Sequence, residues 1–245
     1  MNNHLALSLL AGILPTFVWL FFWLREDKER PEPKGLLLLT FFAGMLTVIF
    51  VLPFEELART KIIDDLARTF SWATAEELIK YAAVAFIALK SRQIDEPIDF
   101  PIYFITAALG FAALENTLFL LKPFSLNATT EALLTGNLRF LGATLLHAVC
   151  SAMIGIGMGL TFYSSWTKKK IGLFVGILAA IILHSLFNFF IIKTGDSGNF
   201  FAVFGALWVV TIITMLLFEK LRRMGEEYRS LRKEEENLNY VGKQQ

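Results

Sequence analysis

Charge is scarce in this chain and unevenly spread. Of its 245 residues only 18% are Asp, Glu, Lys or Arg, against about 25% in an ordinary soluble domain. The windows 5–24, 36–53, 171–192 and 200–218 contain none, and 69–90, 101–121 and 138–163 contain very few. Each is about 20 residues long, which is what a helix needs to cross a bilayer core. A net charge of +1 leaves no acidic or basic excess, so nothing in the sequence recommends nucleic acid as a partner. A single cysteine, Cys150, excludes a disulfide framework and a thiolate zinc cluster. Ten-residue alternating strands of the outer-membrane barrel kind are missing, as are internal repeats and low-complexity tracts. What is there is 55% hydrophobic and 14% aromatic, with a mean hydropathy of +0.55. The expected fold is an all-α polytopic membrane protein with about seven transmembrane helices.

The spans are expected at roughly 5–24, 36–53, 69–90, 101–121, 138–163, 171–192 and 200–218. They make a membrane domain over 1–218, followed by a charged tail, 219–245, that reads as a solvated cytoplasmic helix. The first span is not a cleavable signal peptide, because it is too long and its basic residues follow it. Sixteen Lys and Arg fall in the loops 25–35, 90–100 and 164–170 and in the tail, against six on the opposite side. The positive-inside rule then sets the N-terminus outside and the C-terminus in the cytoplasm. Residues 54–70 carry Phe54, Ala58, Ile62, Leu66 and Phe70 at four-residue spacing, which suits an amphipathic helix at the outer interface. Trp72, Tyr103, Tyr163 and Trp166 fall at span ends, the place of aromatic belt anchors.

The informative residues are those that lipid disfavours. The third span contains Glu76, Glu77 and Lys80, the fourth Glu115 and Asn116, the fifth Arg139 and His147, and the sixth His184 and Asn188. A charged side chain at mid-membrane costs about 2.5–3.5 kcal/mol, so three glutamates and a lysine approach ~10 kcal/mol if central and charged. Their depths agree as well. Counted from the outer end of each span, Glu76, Glu115, His147 and His184 all lie about 9–14 Å in, at 1.5 Å per residue. Four helices of alternating direction therefore bring polar groups into one layer. Lys80 follows Glu76 by four residues and Glu77 by three, Asn188 follows His184 by four, and Arg139 and His147 are eight apart.

This inventory suits amide hydrolysis by a bound water. A glutamate beside a histidine in a dry pocket can activate water, and a His–Asn pair one turn apart can offer donors to an oxyanion. Other protease chemistries fit worse: HExxH is absent, and the aspartates at 27, 64, 65, 95, 99 and 196 fall between the spans. The lone Cys150 reads as packing, and Glu55-Glu56-Leu57-Ala58-Arg59 as an interfacial imitation of the third-span motif.

Glu76-Glu77-x-x-Lys80, Phe111-x-x-x-Glu115-Asn116, His147 and His184-x-x-x-Asn188, in this order on successive spans, resemble the PrsW family of intramembrane proteases. That family is related to the CAAX prenyl endopeptidases and bacteriocin-processing proteins. The resemblance covers about 69–192 and implies a catalytic core there, in a bacterial cytoplasmic membrane. It implies Glu76 as the water-activating base, Glu77 as its paired carboxylate, and His184 and Asn188 as transition-state donors. Glu115 and His147 complete the catalytic set, with Lys80, Asn116 and Arg139 in support. The CAAX branch has a histidine where this chain has Glu115, so either Glu115 or His147 partners Glu76. The expected substrate is a membrane-anchored protein such as an anti-sigma factor, cut by a glutamic-type endopeptidase. No cofactor is required by this reading, and a metal stays open. Two rivals remain: a proton- or cation-coupled transporter using the same carboxylates, and a metal-dependent membrane hydrolase.

Overall fold

A computed structural model describes residues 3–25, 30–194 and 200–242, with side chains through 237. The described residues are helical with no strand: α1 Asn3–Leu24, α2 Lys34–Lys61, α3 Asp65–Ile87, α4 Asp99–Ser125, α5 Thr129–Leu138, α6 Thr144–Gly159, α7 Trp166–Thr194 and α8 Phe200–Gly242. A π-turn, Arg139–Ala143, joins α5 to α6, so that 129–159 forms one continuous span. Among the described residues, six spans are long and apolar enough to cross a membrane. Helix α3 falls outside that set; it carries the buried Glu76, Glu77 and Lys80 and is shielded by α2, α7, α4 and α6. The protein is a multi-pass all-α membrane protein. Lys28 and Asp196 lie outside the described residues.

The core is built on α4, which is buried on all sides from Pro101 to Ala113 and touches α1, α2, α3, α5 and α6. A helix apolar all round must be central. Small residues allow its close approach to α2. A Cβ added at Gly44 would sit 2.0 Å from the Ala107 carbonyl oxygen, and one added at Gly110 would sit 1.9 Å from that of Phe41. On the other flank Gly155 of α6 lies against Pro101. Such backbone contact drives helix association where no hydrophobic effect operates between helices and lipid.

Several expectations are corrected. Residues 54–70 do not form a separate interfacial helix; 54–61 are the last turns of α2 and 65–70 the first of α3. The break comes at Ile62 in extended backbone, followed by Asp64, whose Oδ1 accepts the Ala67 N–H at 2.7 Å as an N-cap. The fifth span begins earlier than its apolar run, at Thr129, and ends at Gly159. Asp65 and Asp99 are not loop residues but open α3 and α4. Tyr103 is no belt anchor: it is fully buried and donates its hydroxyl to Glu32.

The tail is also less solvated than its charge suggests, because α8 runs through 218 without a break and packs at one end of the bundle. Leu221 is buried, Tyr228 stacks on Tyr163 at 4.1 Å, and Arg229 pairs with Glu96. Glu96 also takes Arg30 at 2.6 Å. This knot of charges lies just before the start of α4, whose first residue, Asp99, is about 24 Å from Glu115 at 1.5 Å per residue.

Candidate active site

A cavity of about 630 Å³ opens at the end of the bundle where α2 meets α3 and α4 turns toward α5. One wall is apolar, with Val48, Val51 and Leu52 of α2, Phe111, Leu118 and Phe119 of α4, and Ile191 and Ile192 of α7. The other is polar: Glu55, Glu76, Glu115, Arg139, His147, His184 and Asn188. Six of the nine residues singled out from the sequence therefore line one space. The other three, Glu77, Lys80 and Asn116, are buried behind its wall.

Most of these polar side chains are tied to one another, largely across helices. Lys80 donates to Glu77 Oε1 at 2.6 Å, and its Nζ lies 3.2 Å from His147 Nδ1. Glu77 Oε1 is 2.9 Å from His184 Nδ1, and Glu77 Oε2 accepts the Ser151 hydroxyl at 3.0 Å. On the other side Glu115 Oε2 is 3.0 Å from His147 Nε2 and also receives Arg139. Arg139 Nε donates to Asn116 Oδ1 at 2.6 Å, while the Asn116 amide donates to Thr144 Oγ1 at 2.9 Å. Arg139 thus does not snorkel to water; its guanidinium is pinned and lies 3.9 Å over the Phe119 ring. The π-turn widens the helix at this point, a distortion often found at functional sites. It lets Arg139 and His147 reach the same carboxylate oxygen.

Glu76 stands apart. Its Oε2 is buried with no hydrogen-bond partner, 3.7 Å from His147 Nδ1, 3.8 Å from His184 Nε2 and 3.7 Å from Lys80 Nζ. Buried carboxylate oxygens are rarely left unsatisfied, so this atom faces a place where another molecule belongs. Glu76, His147 and His184 can also present one ligand atom each, all within 4.8 Å of one another. Donors on a tetrahedral zinc ion lie about 3.4 Å apart for bonds of ~2.1 Å, so the trio suits a divalent ion in type and spacing.

The sequence reading missed three residues of this site. Glu55 lines the cavity, and its carboxyl meets that of Glu76. Its charged flanks read as interfacial, yet Val48, Val51, Leu52, Glu55 and Arg59 follow the helical repeat and share one face of α2. Ser151 and Thr144 gave no comparable signal, since a lone hydroxyl in a span ordinarily bonds its own backbone. Asp64, Asp65, Asp95 and Asp99 do not line the cavity, and Cys150 is fully buried.

The family profile described as PrsW family intramembrane metalloprotease matches residues 32–218, most of the chain and the whole site. The chain belongs to the PrsW family. It is similar to Protease PrsW of Geobacillus kaustophilus, 28% identical over 202 residues that cover 81% of this chain and 86% of the relative. It also resembles Protease PrsW of Halalkalibacterium halodurans, 26% identical over 220 residues, 88% of this chain and 98% of the relative. Protease PrsW of Bacillus subtilis is 24% identical over 182 residues, 73% of this chain and 80% of the relative. No solved structure matches the chain. As a member of the PrsW family it is an intramembrane protease, and its substrate is a protein in the membrane.

Proposed function

We propose that this PrsW-family chain is a glutamic-type endopeptidase that cuts a membrane-anchored protein, such as an anti-sigma factor, on the outer side of a bacterial cytoplasmic membrane. The observation that carries this reading is the orphaned Glu76 Oε2, buried within 3.8 Å of both imidazoles. A water seated there gives a proton to Glu76 as its oxygen bonds to the scissile carbonyl carbon. The C–N bond then breaks, Glu76 returns that proton to the departing nitrogen, and an acid and an amine are left. Asn188 on the same cavity wall offers amide donors to the developing oxyanion. Glu77 and Glu115 orient His184 and His147, and Lys80 and Arg139 hold those two carboxylates in turn.

The spacing of Glu76, His147 and His184 favours a second reading in which the trio holds a divalent ion. Bound there, the ion would polarise the carbonyl and make a more acidic water. A transporter is less well supported, because the cavity lies at one end of the bundle and the Glu96 charge knot at the other.

The deciding experiment co-reconstitutes the full chain in liposomes with single-span anti-sigma factors from its own genome. Cleavage by the wild type that disappears with Glu76→Gln and His184→Ala supports the assignment. Equal cleavage by those variants, or solute uptake by liposomes holding the chain alone, rejects it.

A further inference from the structure

We infer that the two imidazoles of the site are locked in opposite tautomers, His184 protonated on Nδ1 and His147 on Nε2, with the bare nitrogen of each within 3.8 Å of Glu76 Oε2. Glu77 is surrounded by donors: Lys80 Nζ at 2.6 Å on Oε1 and the Ser151 hydroxyl at 3.0 Å on Oε2. An ionised carboxylate only accepts, so His184 Nδ1, 2.9 Å from the same Oε1, carries the hydrogen. In that tautomer Nε2 is bare, and it lies 3.8 Å from Glu76 Oε2.

His147 is fixed from two sides independently. Its Nε2 lies 3.0 Å from Glu115 Oε2, a carboxylate oxygen paired with Arg139. Its Nδ1 lies 3.2 Å from Lys80 Nζ, and an ammonium has hydrogens to give and no lone pair to receive one. Both contacts demand Nε2–H and a bare Nδ1. The rings stand 5.0 Å apart at 82°, each braced from behind by its own carboxylate–cation pair.

This arrangement borders the reaction space with acceptors and changes what His184 does. The Nδ1–H tautomer leaves Nε2 without a hydrogen to offer an oxyanion, so in this tautomer His184 accepts and does not donate. It is instead the second acceptor for the attacking water. Acceptors 3.8 Å apart can be bridged by one water at ordinary hydrogen-bond lengths. With both hydrogens committed to Glu76 Oε2 and His184 Nε2, the water turns its lone pairs outward to the substrate carbonyl. Oxyanion donors then come from Asn188 and from Arg139, which has five N–H groups and uses Nε and Nη2 on Asn116 and Glu115. The role of the water rests on the proposed hydrolysis; the tautomers do not.

The test incorporates ¹⁵N-labelled histidine into the full chain in lipid nanodiscs and reads long-range ¹H–¹⁵N correlations at neutral pH, with His147→Gln and His184→Gln to assign the signals. The expected result is a protonated Nδ1 and a bare Nε2 on His184, and the reverse on His147. In Glu115→Gln, His147 should keep its tautomer because Lys80 still holds Nδ1. Two rings of one tautomer, or a doubly protonated His184, overturn the inference even if cleavage is intact. Cleavage that fails while the tautomers stand as stated overturns the hydrolysis reading alone.

Discussion

Lys80 reaches Glu77 at 2.6 Å while staying 3.7 Å from Glu76, so two glutamates adjacent in sequence live in opposite surroundings. Glu77 is saturated by an ammonium, a hydroxyl and an imidazole, and nothing remains for it to bind. Glu76 has a bare oxygen on the cavity wall. Successive helical residues point about 100° apart, which turns a Glu-Glu dipeptide into one residue facing the bundle and one facing the cavity.

Lys80→Met should therefore damage folding before it damages chemistry. It leaves Glu77 charged and buried without its main partner, and breaking a buried pair costs about 3–5 kcal/mol. Unfolding of the detergent-solubilised protein, followed by tryptophan fluorescence, would read this directly. A stability equal to wild type would mean that Ser151 and His184 suffice to hold Glu77.

Glu76→Gln should show the opposite pattern. The amide is nearly isosteric, and Oε2 has no bond to lose, so the unfolding midpoint should stay within about 1 kcal/mol of wild type. Cleavage should fall by about 10²–10⁴-fold, the usual worth of a positioned general base. Glu77→Gln should lose both stability and activity. Equal behaviour of the two variants would break the division of labour drawn above.

Chelation separates the two mechanistic readings. Lys80 already supplies a cation 3.2 Å from His147 Nδ1 and 3.7 Å from Glu76 Oε2, so an ion in the trio must compete with it for the same lone pairs. Cleavage in proteoliposomes dialysed against EDTA and phenanthroline should stay within about twofold of the untreated rate. Loss of activity restored by zinc, with metal content lowered in His184→Ala, would move the mechanism to the divalent ion.

The polar site was legible because charge inside a span is costly enough to stand out singly, as with Glu76 and Glu115, and because α-helical spacing tells which of them share a face. Glu55 was illegible for the converse reason. It sits just past the apolar run of α2, where charge is ordinary, and only the continuation of that helix to Lys61 aims it inward. The π-turn at Arg139 and the burial of Tyr103 depend on tertiary contacts with Glu115 and Glu32, which no local pattern announces. The packing of the tail was hidden likewise, since Arg229 meets a glutamate 133 residues away.

Gly110→Val tests the frame rather than the site. The added side chain would begin 1.9 Å from the Phe41 carbonyl oxygen, which is backbone and cannot swing aside. The variant must push α2 off α4, and overpacking of this severity should cost about 3 kcal/mol or more. Reduced yield of folded protein and a lower unfolding midpoint are expected. Wild-type stability would mean that α2 and α4 are separable.

Orientation in the membrane can be read with two engineered cysteines, because Cys150 is fully buried and should stay silent to a membrane-impermeant maleimide. Ile63 is 95% exposed in the turn between α2 and α3, at the cavity end of the bundle, and Leu231 is exposed on the far part of α8. The Lys and Arg bias puts the first outside and the second in the cytoplasm. In intact cells Ile63→Cys should label and Leu231→Cys should not, with both labelling after lysis. The reverse pattern would put the cavity on the cytoplasmic side, and the substrate would then have to be cut from within the cell. The charge knot of Arg30, Glu96 and Arg229 would in that case face outward, against the charge distribution that orients membrane proteins.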